Sequence, residues 1–222
     1  MKNLNSRRRR NQRRKRRGNR KLLLVSLGVL VVLAAAGIGA YTFYDRQQPA
    51  NISGGTGTTA LIASTGINVG DRAPDMPLHL TNGTSTQLSR FQGHTVLLWM
   101  VATWCSGCQE TAPIIASQYY SQLRSAGVIL FTVEDYNDLG YSGPTITQFA
   151  NQYAGGVGSH PGWLFADTSQ SATSTYNPQG DLDIWYLVGP SGTIAASGLD
   201  LGTTIQNAIS AANNLQTATA YG

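Results

Sequence analysis

The chain has only two cysteines, and they stand two residues apart in Trp104-Cys105-Ser106-Gly107-Cys108. Thiols at that spacing can close a reversible disulfide with little backbone movement. They follow an apolar run of strand length and open a segment that reads as a helix. A helix N-terminus presents unpaired N–H groups and a partial positive charge, which favour a thiolate. Cys105 lies at that end, is expected to be exposed, and is the expected nucleophile. Cys108 lies one turn deeper, placed to attack a mixed disulfide and release the product. Two bland alternatives fit less well. A structural bridge gains most by closing a long loop, and this loop is very short. A zinc site wants four ligands, and there is no second cysteine pair. The three histidines, His79, His94 and His160, are scattered without ligand spacing.

The elements that must hold this pair can be read from apolar periodicity. Thr95 to Val101 (TVLLWMV) is a continuous apolar run, as expected for a strand buried on both faces. A helix is expected from about Ser106 to Leu123. Val128 to Val133 reads as a second buried strand, and Thr145 to Tyr153 as a helix with Ile146, Phe149 and Ala150 on one face. Trp163 to Ala166 is a short extended piece. Ile184 to Val188 reads as a strand, Pro190-Ser191-Gly192 as a turn, and Thr193 to Ser197 as its hairpin partner. Leu201 to Asn214 closes as a helix, with Ile205, Ala208, Ile209 and Ala212 at helical spacing. This α/β order implies a mixed central sheet with helices on both faces.

Val69-Gly70-Asp71-Arg72-Ala73-Pro74-Asp75, followed by Leu78, Leu88 and Gly93, resembles the opening of the redoxin branch of the thioredoxin-like superfamily. Val101-Ala102-Thr103-Trp104-Cys105 is similar to that branch's strand-to-active-site segment, and Pro113 to its helix-kinking proline. The resemblance covers about Val69 to Asn214 and is nearest to TlpA-type, membrane-anchored thiol–disulfide oxidoreductases. It implies a thioredoxin-like fold and dithiol–disulfide exchange with protein partners outside the cytoplasm, with Cys105 and Cys108 as the catalytic pair.

The chain departs from that pattern in three places. Family members carry a cis-proline opposite the cysteine pair, just before a strand. Here that position falls near Asp183, within Asp181-Leu182-Asp183-Ile184, and an acid there would raise a thiol pKa if it lay within ~4–6 Å. Thioredoxins bury an acid six residues before the first cysteine, where this chain has Trp99, so a proton acceptor for Cys108 is not supplied from there. TlpA-type proteins often carry Glu three residues after the second cysteine. Here that residue is Thr111, and Glu110, one place earlier, reads as a first-turn carboxylate favoured by the helix dipole. Glu134 and Asp135 are candidates by fold position, since strand C-termini face the site in open α/β sheets. Trp104 is expected to wall the Cys105 sulfur. Trp163 and Trp185 read as core or groove residues.

Charge is divided sharply along the chain. Twelve of the sixteen Lys and Arg fall within residues 1–21, whereas residues 47–222 hold three arginines against ten acids, a formal −7. The basic balance therefore belongs to the tail and gives no reason for the folded part to bind nucleic acid. A charge-poor, Ser/Thr/Asn/Gln-rich domain suits an acidic external medium, where fewer carboxylates change state, and suits drift in a secreted protein equally. Leu22 to Tyr44 is a run of 23 residues without a charged side chain, long enough to span a hydrocarbon core of roughly 30 Å. The arginine block on its near side and Tyr41, Phe43 and Tyr44 on its far side predict a single-pass anchor with the N-terminus in the cytoplasm. A cleaved signal peptide is the competing reading, but its apolar region is ordinarily ~7–15 residues. The expected division is a basic cytoplasmic tail (1–21), a transmembrane signal-anchor (22–44), a flexible Gly/Ser/Thr linker (45–68) and the thioredoxin-like domain (69–222), which would lie outside the cell membrane. Ser53-Gly54-Gly55-Thr56-Gly57 is not a phosphate loop, because no Gly-Lys-Ser/Thr and no strand flank it.

The expected partners are exported proteins with thiols or disulfides and a membrane or extracytoplasmic electron donor or acceptor. No cofactor or metal is required. Two other functions remain open at this level. A thiol peroxidase would place Thr three residues before the reactive cysteine, and Thr103 is only two before Cys105. A copper-binding metallochaperone of the same fold would need a histidine, for which His160 in Ser159-His160-Pro161 is the candidate.

Overall fold

The computed structural model describes residues 64–221. Residues 22–44, read as an anchor, lie outside the described residues, as does the basic tail. Among the described residues no helix is long and apolar enough to cross a membrane.

Seven strands form one mixed sheet: β1 (Pro77–Leu80), β2 (Ser85–Gln87), β3 (Thr95–Val101), β4 (Val128–Glu134), β5 (Trp163–Asp167), β6 (Ile184–Val188) and β7 (Ile194–Leu199), in the spatial order β2-β1-β5-β4-β3-β6-β7. β3, β4 and β5 run parallel, while β6 pairs antiparallel with β3 and β7 with β6. All seven residues of β3 are buried. Because successive side chains point to opposite faces, Leu97, Trp99 and Val101 enter one core cluster and Val96, Leu98 and Met100 the other. Each fully buried Leu or Met here contributes about 1.5–3 kcal/mol. A strand stabilised from both sides gives the cysteine segment that follows it a rigid starting point.

Among the described residues five α-helices accompany the sheet: α1 (Ser106–Ile114), α2 (Tyr120–Ser125), α3 (Ile146–Tyr153), α4 (Gln170–Tyr176) and α5 (Leu201–Tyr221). α1 and α2 are joined through a π-turn at Ile115–Tyr119, directly after Pro113. Pro113 lacks the N–H that would continue the ladder, so the bonding pattern shifts there. The expected single helix to Leu123 is thus two helices around a wide turn. The Ile146, Phe149 and Ala150 face of α3 is buried as expected, and Thr145 closes a capping box with Gln148. Trp163 and Trp185 are both core residues, their indole N–H groups bonded to Thr132 and Thr204.

Several elements differ from expectation. The β1–β2 hairpin is additional, and His79 on β1 faces Asp167 on β5 at 2.7 Å. The extended piece expected at Trp163 to Ala166 is a strand, and it lies between β1 and β4 in the sheet. α4 is also additional. It is built from Gln-Ser-Ala-Thr-Ser-Thr-Tyr, with Ser169 as its N-cap and only Ala172, Thr173 and Tyr176 buried, too few apolar residues to show a period. Ser64 to Asn68, at the end of the stretch read as linker, bond back to Asp71 and Arg72, and Ile67 packs on the core.

Candidate active site

The C-terminal end of β3 delivers Ala102-Thr103-Trp104-Cys105 to the start of α1. A turn bond from the Cys105 N–H to the Ala102 carbonyl (2.9 Å) reverses the chain there. Cys105 is the N-cap of α1, and its sulfur accepts the Cys108 N–H at 3.2 Å. The sulfur therefore takes the place of the usual capping oxygen, over N–H groups that have no partner within the helix. Cys108 follows one turn on, with its Sγ 2.6 Å from that of Cys105. Both cysteines are free thiols.

The two thiols are electrostatically unequal. The Cys105 pKa is drawn below the ordinary thiol value, first by the hydrogen bond from Cys108, with the Cys108 and Gly107 N–H groups acting in the same direction. Burial and the Asp183 charge oppose this. Cys108 is pushed upward by donating that shared hydrogen bond, then by burial and by the charges of Cys105 and Asp183. One thiol is ready to attack and the other keeps its proton, as stepwise exchange requires.

Exposure of Cys105 was expected, and the structure corrects it. Only 4% of Cys105 is accessible, against 0% for Cys108. Both belong to the core cluster, with Trp104 packed against it. The inward turn that lets the Cys105 sulfur cap α1 also removes most of it from solvent, leaving a narrow edge for attack.

Trp104 is half-buried. Its indole N–H donates to the Asp138 carbonyl (2.8 Å), and its ring lies 4.9 Å from that of the exposed Tyr141. Thr103 is fixed from the same side. Its N–H and hydroxyl donate to the two carboxylate oxygens of Asp138, each at 2.7 Å. Asp138 sits in the turn Tyr136–Gly140, where Asn137, Asp138 and Leu139 all have φ near +50°. Three consecutive non-glycine residues in that region are strained. Sequence reasoning missed Asp138. Its one signal was the run Asp135-Tyr136-Asn137-Asp138 after a strand, since Asn and Asp tolerate left-handed backbone best.

Asp183 lies where expected, immediately before β6, but in an unexpected setting. It is buried, with φ 62°. The Trp99 indole N–H donates to its Oδ1 at 2.5 Å, the Leu201 N–H at the start of α5 donates to the same oxygen at 3.1 Å, and the Thr111 hydroxyl reaches Oδ2 at 3.5 Å. Two positions noted separately as departures, Trp99 and Asp183, are therefore bonded to each other beside the cysteine pair. Burial pushes the Asp183 pKa up, against the lowering effect of these donors.

The other predicted residues play different parts. Glu110 is exposed and falls outside the first turn of α1, which holds no acid, so the expected dipole role is not filled. Pro113 shapes the far end of α1. Glu134 accepts the Ile146 N–H (3.1 Å) at the start of α3, and burial raises its pKa to about 7. Asp135 is buried, with one oxygen bonded to Asn177 (2.9 Å) and the other without a partner, and burial raises it to about 6. His160 packs between Tyr120 and Trp163. Among the described residues no three His, Cys, Asp or Glu are grouped to hold a metal ion.

A mixed sheet with one thiol capping the helix after an interior strand, and a second thiol one turn inside that helix, defines a thiol–disulfide oxidoreductase of thioredoxin-like fold. Residues 68–185, more than half the chain, match the redoxin family, and the protein belongs to that family. It is similar to the thiol-disulfide oxidoreductase ResA of Bacillus subtilis (strain 168), with 29% identity over 172 residues, covering 78% of this chain and 82% of that protein. Its fold is shared by a putative thiol:disulfide interchange protein DsbE from Chlorobium tepidum (TM-score 0.51, 20% identity, 66% of this chain and 99% of that one). It is shared also by a putative thiol-disulfide oxidoreductase from Bacteroides vulgatus (TM-score 0.51, 14% identity, 67% and 99%).

Proposed function

We propose that this protein exchanges a Cys105–Cys108 dithiol with the disulfides of exported proteins, on the outer side of a membrane that residues 22–44 cross once. The carrying observation is the position of the Cys105 sulfur, which accepts the Cys108 N–H at the mouth of α1 with its partner sulfur 2.6 Å away. In the reducing direction the Cys105 thiolate attacks a partner disulfide, forming a mixed disulfide and releasing one partner thiolate. Cys108 then loses its proton and attacks the Cys105 sulfur. The intrachain disulfide forms, the second partner thiolate leaves, and the partner has gained two electrons that the cysteine pair has lost. The same steps in reverse oxidise a partner. Protein substrates are supported by the similarity to a thiol-disulfide oxidoreductase. The outer location is supported by the arginine-flanked apolar run and the acidic, lysine-free remainder of the chain. On this reading residues 1–21 stay in the cytoplasm and residues 45–68 link anchor to domain, with Ser64 to Asn68 folded back on it.

The test is trapping in cells. A Cys108→Ser chain should accumulate mixed disulfides through Cys105 with exported proteins, and a membrane-impermeant maleimide should block their formation in intact cells. Adducts confined to cytoplasmic proteins, or insensitivity to the impermeant reagent, would reject the location. No adducts at all would reject the exchange.

A further inference from the structure

We infer that Asp183 is the proton acceptor that activates Cys108 for the second step of exchange, and that Trp99 is the residue that positions it. This deepens the proposed function and rests on the Cys105–Cys108 exchange. The need for an acceptor is chemical. Cys108 is 0% exposed, and a thiol must lose its proton before it can attack the mixed disulfide. With no solvent at its surface, that proton needs a protein group to receive it.

Asp183 is placed to do so. It immediately precedes β6, and its carboxylate reaches α1 at Thr111, one turn beyond Cys108, at 3.5 Å, with its charge acting on both thiols. Its two oxygens are used differently. Oδ1 is held by Trp99 and by the Leu201 N–H, while Oδ2 has only the 3.5 Å contact with Thr111, three residues beyond Cys108 on α1. Oδ2 is therefore the oxygen with a lone pair to offer, and it faces α1, the helix that carries Cys108. The titratable groups around the carboxyl are Cys105 and Cys108 from α1, whose ionisation the Asp183 charge disfavours, and Asp200 from the turn before α5, which disfavours the charge on Asp183 itself. Among the described residues the single ion pair, His79–Asp167, lies elsewhere, so no cation offsets the burial of Asp183. A carboxyl left uncompensated in this way is a stronger base than one in water. The left-handed backbone at Asp183, φ 62°, is a strained choice for a residue whose only task is to cap α5.

The step balances. The Cys108 S–H proton passes to Asp183 Oδ2, and the sulfur keeps the electron pair. That pair forms the bond to Cys105, the bond from Cys105 to the partner sulfur breaks, and the partner leaves with its electrons. Asp183 then returns the proton to the departing thiolate or to solvent as the site opens.

Dithiobis-nitrobenzoate and the full-length chain separate the two steps. Attack by Cys105 releases one coloured thiolate, and attack by Cys108 on the resulting adduct releases a second. With Asp183→Asn, which keeps an acceptor for Trp99 and Leu201, the first phase should persist. The second should slow by about 10²-fold at pH 7, the low end of what a positioned base supplies, and recover as pH rises. Removing the negative charge would by itself favour the Cys108 thiolate, so a slower second phase cannot come from charge loss. An equal second phase in the variant, or slowing by one constant factor at every pH, overturns the role of Asp183 while leaving exchange intact. Absence of the first phase in the native chain overturns exchange itself. If the variant does not fold, the native chain decides: an inflection in the second-phase pH profile below the thiol range is expected, and a rise governed by thiol ionisation alone is contrary.

Discussion

The Asp138 carboxylate accepts both the backbone N–H and the hydroxyl of Thr103, 35 residues earlier in the chain, at 2.7 Å each. The pair clamps the last residues before Cys105 to a strained turn after β4, and Thr103 is 0% exposed. Asp138→Ala leaves both donors without that acceptor, although the Thr103 hydroxyl also reaches the Pro144 carbonyl at 2.6 Å. The expected loss is about 2–4 kcal/mol of stability, read from urea unfolding. Asp138→Asn, which keeps one acceptor, should lose less. Equal stability of all three chains would show that the clamp carries no energy.

Gly143 approaches this clamp so closely that a Cβ there would lie 2.6 Å from Asp138 Oδ2 and 2.9 Å from the Trp104 backbone nitrogen. Backbone cannot yield as a flexible side chain does. Gly143→Ala should lower the thermal midpoint and change the rate at which Cys105 reacts with iodoacetamide, since the displaced atoms lead directly into the cysteine turn. A substitution silent in both measurements would mean that the turn is free to move.

Much of this was legible beforehand and some was not. β3, β4 and β6 announced themselves as apolar runs because the central strands are buried on both faces, and the cysteine spacing marked the start of α1. α4 stayed hidden because seven mostly polar residues bury too few side chains to show a period. The burial of Cys105 could not be read either, since it depends on a single turn directing the sulfur back over its own helix. Trp99 and Asp183 could each be noticed as unusual. Their bond spans 84 residues and joins a strand interior to a loop, and no local pattern encodes that.

Burial raises Glu134 to about 7 and Asp135 to about 6, and shifts Asp183 upward as well. All three bind protons more tightly folded than unfolded, where carboxyls titrate near ~4. Stability from these groups is therefore fully present below the unfolded range and declines as pH rises toward 7. Asp71, held low by Ser64 and Asn68, acts in the opposite sense only in stronger acid. The thermal midpoint should be higher at pH 5 than at pH 8, and Glu134→Gln with Asp135→Asn should flatten the difference. A midpoint that falls steadily from pH 8 to pH 5 would contradict the assignment, and with it the suitability of the domain for an acidic medium.

The most direct test of the central claim is the covalent state of the two sulfurs in the full-length chain after equilibration with glutathione buffers of graded potential, quenched by alkylation and read by peptide mass. Cys105 and Cys108 should pass together from two alkylated thiols to one intrachain disulfide, in a single reversible two-electron transition. Stable glutathione adducts without that disulfide, or two cysteines that stay reduced at every potential, would mean that this pair does not exchange.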